Sequence, residues 1–149
     1  MKITKYSIRL VRENKADYEI LKGASLTNPY YAAMAFEKIF ELSSRPQETL
    51  AMISVDNKNQ IIGAAEISVG GIASTIADPR NIFQYALLQN AAAIILAHNH
   101  PSGDLTPSED DIRLTAGVEG AGDFLRIELL DHIVVGDDNY LSMKEEGIF

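Results

Sequence analysis

The stretch AHNHPSGDLTPSEDD, from Ala97 to Asp111, gathers side chains that can hold an ion. His98 and His100 are two of the three histidines in a chain of 149 residues, and a single residue separates them. Side chains alternate along a strand, so rings at i and i+2 share a face with their Cα atoms about 6.6 Å apart, close enough to converge on one cation. Downstream, Thr106, Pro107, Ser108 and Glu109 read as a Thr-x-x-Glu capping box with proline at the first helical position, which predicts a helix beginning near Thr106. Ser108 and Asp111, three residues apart, then lie on one helical face. If the Pro-Ser-Gly turn folds the chain back, the Asp111 carboxylate reaches an ion held by both imidazoles. The result is a two-histidine, one-carboxylate site with a position open to water. The plainer alternative is a pair of solvated strand-end histidines beside an ordinary helix start. Capping explains Thr106 and Glu109 but leaves the histidines unexplained.

These residues need a frame. AAAIILAH, ahead of the second histidine, is apolar without alternation and short, as a central strand covered on both faces would be. ETLAMISVDNKNQIIGAAEISVGG reads as two strands joined by a DNKN hairpin turn. NPYYAAMAFEKIFELSSRP predicts an amphipathic helix with Asn28 as cap and Pro29 at the first turn, stopped before Pro46. ADPRNIFQYALLQNA predicts another, capped by Asp78 with Pro79 following. TPSEDDIRLTAGVEGAGDFL predicts a third that loosens at Gly117, Gly120 and Gly122. LRIELLDHIVVGDDNYLSM supplies a strand, a turn and a last short strand. In KYSIRLVRE, Tyr6, Ile8 and Leu10 alternate with Ser7 and Arg9 as an opening strand does, and YEILKG holds a short second one. Gly70, Gly71 and Gly103 fit turns or bulges. Strand, helix, hairpin, helix, strand, helix, strands describes an α/β fold, a mixed sheet sandwiched by helices. Residues 1–149 are expected to form a single domain, with 1–45 integral to it and 46–149 carrying the metal-site core.

Composition narrows the function. Thirteen basic against twenty-one acidic residues leave a net charge of −8, a field that repels phosphate backbones, so direct nucleic-acid binding is not expected. With no cysteine, any metal must rest on His, Asp or Glu. Ser7, Arg9 and Arg12 interrupt what would have to be a signal-peptide core, and no apolar run reaches the roughly 20 residues of a membrane span. The expectation is a soluble, cytoplasmic protein without a membrane partner.

The string His98-x-His100, seven residues, Ser108, two residues, Asp111 resembles the zinc motif of the JAMM metalloproteases, also called JAB or MPN domains. HNHPSG followed by PS..D and later LLDHIVVG is similar to the RadC-like branch of these, and DPRNIFQYALLQNAAAIILAHNHPSGD extends the likeness, most closely over Val55 to Phe149. The resemblance implies a cytidine deaminase-like, JAB/MPN architecture and a Zn2+ ion on His98, His100 and Asp111. It also implies hydrolysis of a peptide or isopeptide bond in a peptide or protein substrate, with Ser108 stabilising the oxyanion and a glutamate from an upstream strand as base. Glu66 is the one charge in IIGAAEISVGG. Its residues alone fit an exposed strand position as readily as a base, and the resemblance favours the base. Asn99 is expected to face away from the metal. His132 reads as a hydrogen-bonded strand histidine, ahead of a fourth ligand, or as a group orienting a neighbour in the second shell. Arg80 is expected to pair with an acid, and Asp104, Glu109 and Asp110 to crowd the mouth of the site. Longer members of the family carry a helix-hairpin-helix DNA-binding segment, and the first 45 residues here are too short and irregular to supply one. The alternatives are a non-catalytic accessory module associated with DNA repair and a protein-interaction scaffold; the intact metal motif disfavours the scaffold.

Overall fold

The two apolar runs around the DNKN turn pair antiparallel as β1 (Thr49–Val55) and β2 (Ile61–Val69). Asp56 makes the turn, its carboxylate accepting from the backbone N–H of Lys58 at 2.8 Å and of Gln60 at 3.0 Å. Asn59 takes the left-handed conformation at φ 58° that asparagine tolerates. The computed structural model of the chain describes residues 25–70 and 77–149, with 1, 3–5, 7, 9–11, 13 and 21 besides. In KYSIRLVRE the described residues, 5, 7, 9–11 and 13, lie in no strand, while Tyr6, Ile8 and Arg12, YEILKG apart from Leu21, and Gly71 fall outside the described residues.

β3 (Ala93–Asn99) is buried along its whole length, as its unbroken apolar run predicts. It lies between β1, to which it is antiparallel, and β4 (Glu128–Val135), to which it is parallel; β5 (Tyr140–Ser142) adds antiparallel at the far side. Among the described residues the sheet is thus mixed and five-stranded, in the order β2-β1-β3-β4-β5. The parallel pair needs a crossover, which a helix supplies.

Helix α1 (Pro29–Phe40) starts as expected, Asn28 accepting from Tyr30 N–H at 2.9 Å. It stops short of Pro46 because Glu37 binds the backbone N–H and hydroxyl of Ser43, at 2.9 and 2.8 Å, and turns the chain into a 3-10 segment at Leu42–Ser44. In α2 (Pro79–Leu88), Asp78 caps Arg80 N–H at 2.8 Å and pairs with the Arg80 guanidinium at 2.6 Å.

The crossover helix α3 (Glu109–Leu125) differs from expectation in two ways. Its cap is Ser108, not Thr106: the Thr106 N–H is taken by the Asp104 carboxylate at 2.9 Å, so the chain is still extended there and the capping box is Ser108 with Asp111. Nor does it loosen at its glycines. A Cβ on Gly122 would stand 2.4 Å from the Ile127 carbonyl oxygen, so the helix uses glycine to let the lead-in to β4 pass close by.

One face of the sheet packs Ala32, Ala35 and Phe36 of α1 on Ala51, Ile53, Ile95 and Ile133. The other packs Ile82 and Phe83 of α2 and Leu114 and Val118 of α3 on Leu50, Met52, Ile94 and Leu96. The protein is therefore an α/β sandwich around a mixed sheet. Among the described residues no helix is long and apolar enough to cross a membrane.

Candidate metal centre

β3 and α3 deliver the motif residues to one place. His98 is even-numbered with Ile94 and Leu96, so strand alternation turns it to the α2/α3 face. His100 follows just past the strand end on the same side. The antiparallel register sets Leu50 opposite His98, and carried two residues further it sets Glu48 opposite His100. Asn99, between the histidines, points the other way and ties the two strand ends together. It accepts from Thr49 N–H at 2.8 Å and donates to the carbonyls of Arg45 and Gln47 at 3.1 and 3.3 Å. From the first turn of α3, Asp111 completes the group. One donor atom each from Glu48, His98, His100 and Asp111 lies within 4.8 Å of the others.

The separations suit a small cation. His98 Nε2 and His100 Nε2 are 3.0 Å apart, and each is 3.4 Å from a carboxylate oxygen of Asp111. The edge of a tetrahedron with bonds of about 2.0–2.1 Å is about 3.3 Å. His100 Nδ1 lies 2.6 Å from the Asp104 carbonyl oxygen, which can only accept, so the ring hydrogen sits there and Nε2 is a bare lone pair. Asp111 Oδ1 is buried with no hydrogen-bond partner among the described residues. Imidazole nitrogens and an orphaned carboxylate oxygen turned towards one point are a donor set that a divalent cation satisfies.

The charge of Asp111 is held by its surroundings. Burial works to raise the carboxyl, and the hydrogen bonds from the hydroxyl and backbone N–H of Ser108 work to lower it. Ser108 donates twice to Asp111 Oδ2, from the backbone at 2.6 Å and from the hydroxyl at 2.7 Å, while the hydroxyl accepts from Asp111 N–H at 3.1 Å. Ser108 thus stands beside the cluster, as a cap and as an anchor for the carboxylate. Of the acids expected at the mouth, Glu109 and Asp110 pair with Arg113.

Glu66 is not brought to the cluster. It lies opposite Ala51 across a β-bulge, and residues directly opposite share a face, so it points to the α1 side, where Arg45 pairs with it at 3.3 Å. The carboxylate that does reach the histidines is Glu48, which sequence reasoning missed. Its signal was faint: the acid that opens ETLAMISV precedes the apolar run and lies fifty residues before His98, so only cross-strand register joins the two.

Behind the cluster, His132 is wholly buried between His98 Nδ1, 2.9 Å from its Nε2, and Thr115 Oγ1, 2.7 Å from its Nδ1. Burial, with the neighbouring His98, holds this ring well below the ordinary histidine range, so it is neutral. Asp131 instead braces the end of the fold. It accepts from Ser142 Oγ at 2.6 Å and from the backbone N–H of His132 and Lys144 at 2.7 and 3.2 Å, while burial raises its carboxyl above the ordinary value.

The profile of the RadC-like JAB domain matches residues 26–148. A UPF0758 protein of Clostridium perfringens is 47% identical over 108 residues, 72% of this chain and 48% of its own length. One from Desulfitobacterium hafniense is 44% identical over 108 residues, with the same 72% and 48% coverage. Another, from Clostridium acetobutylicum, is 40% identical over 131 residues, 88% of this chain and 56% of its own length. The chain spans about half the length of these curated relatives.

Proposed function

The chain belongs to the RadC-like JAB domain family, and from that premise we propose that it is a zinc-dependent hydrolase of the JAMM type that cleaves a peptide or isopeptide bond. The observation that carries the reading is the convergence of His98 Nε2, His100 Nε2 and the Asp111 carboxylate, whose Oδ1 has no hydrogen-bond partner among the described residues. Nitrogen-rich donors at tetrahedral spacing favour zinc over the oxygen-loving Mg2+ and Ca2+.

A divalent zinc ion held by these three residues supplies Lewis acidity, acidifying a water and polarising the scissile carbonyl at neutral pH. The rest falls to the chain's own groups. Glu48, half-buried at the same cluster, takes a proton on its carboxylate from the attacking water and returns it to the leaving amine. We assign this role to Glu48 in place of Glu66, which faces the other side of the sheet and holds Arg45. Ser108 serves the oxyanion by rotating its hydroxyl away from Asp111 Oδ2, whose hold on the Ser108 backbone N–H persists. A peptide or protein substrate and a cytoplasmic setting go with this reading.

The test is a peptide-library digest with zinc-loaded protein. Glu48→Gln is expected to cut turnover by about 10²–10⁴-fold with zinc content unchanged, and Glu66→Gln to leave turnover as it is. Equal cleavage by Glu48→Gln and the parent protein would remove Glu48 from the chemistry. Absence of zinc uptake by the parent protein would remove the site.

A further inference from the structure

The hydrogen bonds behind the cluster run in one direction, and one end sets it. Thr115 Oγ1 lies 2.6 Å from the carbonyl oxygen of Asp111, one helical turn earlier. A carbonyl carries no hydrogen, so the single hydroxyl hydrogen of Thr115 lies between these two oxygens. Towards His132 Nδ1, 2.7 Å away, the same oxygen can then act only as acceptor, and Nδ1 must carry the ring hydrogen. That leaves His132 Nε2 bare, and at 2.9 Å it accepts from His98 Nδ1. With its hydrogen there, His98 has a free lone pair on Nε2, the atom that faces His100 and Asp111.

We propose that His132, oriented by Thr115, is a positioning residue that locks His98 in the Nδ1–H tautomer and so directs its Nε2 to the cation. This rests on the metal-site reading above. Ligating histidines as a rule give their other N–H to a carboxylate, a carbonyl or a water. His100 follows the rule through the Asp104 carbonyl, whereas His98 uses a second imidazole. Both His132 nitrogens are engaged, so it is not a ligand itself. The relay also closes a loop: the hydroxyl that orients His132 is bonded to the backbone of Asp111, so one ligand's helix and another ligand's ring are positioned by the same group. A shift of the first turn of α3 is thereby transmitted to His98.

The experiment uses three variants, His132→Phe, His132→Gln and Thr115→Val, and two readouts. Long-range 1H–15N NMR of the histidine rings in metal-free protein at pH 8 reads the tautomers. Competition with a chromogenic chelator reads zinc affinity. The parent protein is expected to show His98 and His132 both as Nδ1–H. His132→Phe is expected to weaken zinc binding by about 10–100-fold. His132→Gln, whose Oε1 can stand where Nε2 stood, should recover most of that loss. Thr115→Val, nearly isosteric and a safeguard against a misfolded His132→Phe, should abolish the single tautomer at His132 and weaken zinc binding too. An Nε2–H signal for His98 in the parent protein, or zinc affinity unchanged in both His132→Phe and Thr115→Val, would overturn the proposal. If the parent protein takes up no zinc, the metal-site reading fails on its own, and the tautomer spectra still decide the hydrogen-bond relay.

Discussion

His98 and His100 present their Nε2 atoms to each other at 3.0 Å, while the Nδ1 of each is engaged on the far side, by His132 at 2.9 Å and by the Asp104 carbonyl at 2.6 Å. Lone pairs this close, beside a buried carboxylate oxygen without a hydrogen bond, repel one another until a cation lies among them. Local stability is given up to hold that arrangement, so ion binding should restore it.

Zinc should therefore stabilise the fold. At a free concentration one hundred times the Kd, binding to the native state alone contributes about 2.7 kcal/mol, and at about 2–4 °C per kcal/mol for a chain of this size Tm should rise by about 5–10 °C. Thermal melts followed by circular dichroism, with and without a chelator, read the shift. In Asp111→Asn, which keeps the volume but removes the charge, it should vanish; a parent protein indifferent to saturating zinc would contradict the site.

The two candidate caps of α3 separate under mutation. Ser108→Ala removes a hydroxyl that accepts from Asp111 N–H and donates to its carboxylate, and should cost about 0.5–2 kcal/mol. Thr106→Ala, at an exposed position outside the helix, should stay within about 0.5 kcal/mol of the parent protein. Urea titrations of both variants make the comparison, and the reverse order would return the cap to Thr106.

Two glycines of α3, two residues apart, should respond with opposite signs. Among the described residues nothing lies within 4 Å of a Cβ built on Gly120, so Gly120→Ala should gain about 0.4–1 kcal/mol from helix propensity and a less flexible unfolded chain. In Gly122→Ala the new methyl meets the Ile127 carbonyl oxygen at 2.4 Å, and the collision should outweigh the same gain and lower the urea midpoint. Stabilisation by both substitutions would mean that α3 and the lead-in to β4 are not so tightly apposed.

Asp131 makes a prediction about pH. Burial raises its folded-state value above the ordinary 3.8, so between the two values the native state binds more protons than the unfolded one. Its contribution to stability accordingly rises as pH falls through the raised value, opposite in sign to that of an ion-paired carboxylate. Asp131→Asn keeps an oxygen for the His132 and Lys144 N–H groups and should abolish this component with little loss at neutral pH. Asp131→Ala strands those donors, at about 1–3 kcal/mol for each one left buried and unmet. Urea midpoints measured from pH 4 to pH 8 test both; an identical pH slope in Asp131→Asn and the parent protein would exclude the assignment.

Much of this protein is legible locally. Asn28 and Asp78 bond to N–H groups two residues on, and the DNKN turn closes through Asp56 within four, so the ends of α1 and α2 and the hairpin are written in neighbouring letters. The spacing of His98 and His100 declares a shared face because alternation is a property of the strand itself. Glu48 and Glu66 mark the limit. Alternation says which residues accompany Glu66, but not which side of the sheet they meet. That was decided by pairing with Ala51 across a bulge, while the register of Leu50 with His98 carried Glu48 to the histidines. The cap of α3 was settled in the same way, since Thr106 and Ser108 both satisfy a local rule and the Asp104 carboxylate, on a loop held by His100, claimed the Thr106 N–H. Residue types and short-range hydrogen bonds thus determined the elements and the candidate ligand motif, whereas the carboxylate beside the histidines, Glu48, and the imidazole behind His98 depended on contacts between distant strands and a helix, which only the packed chain brings within reach.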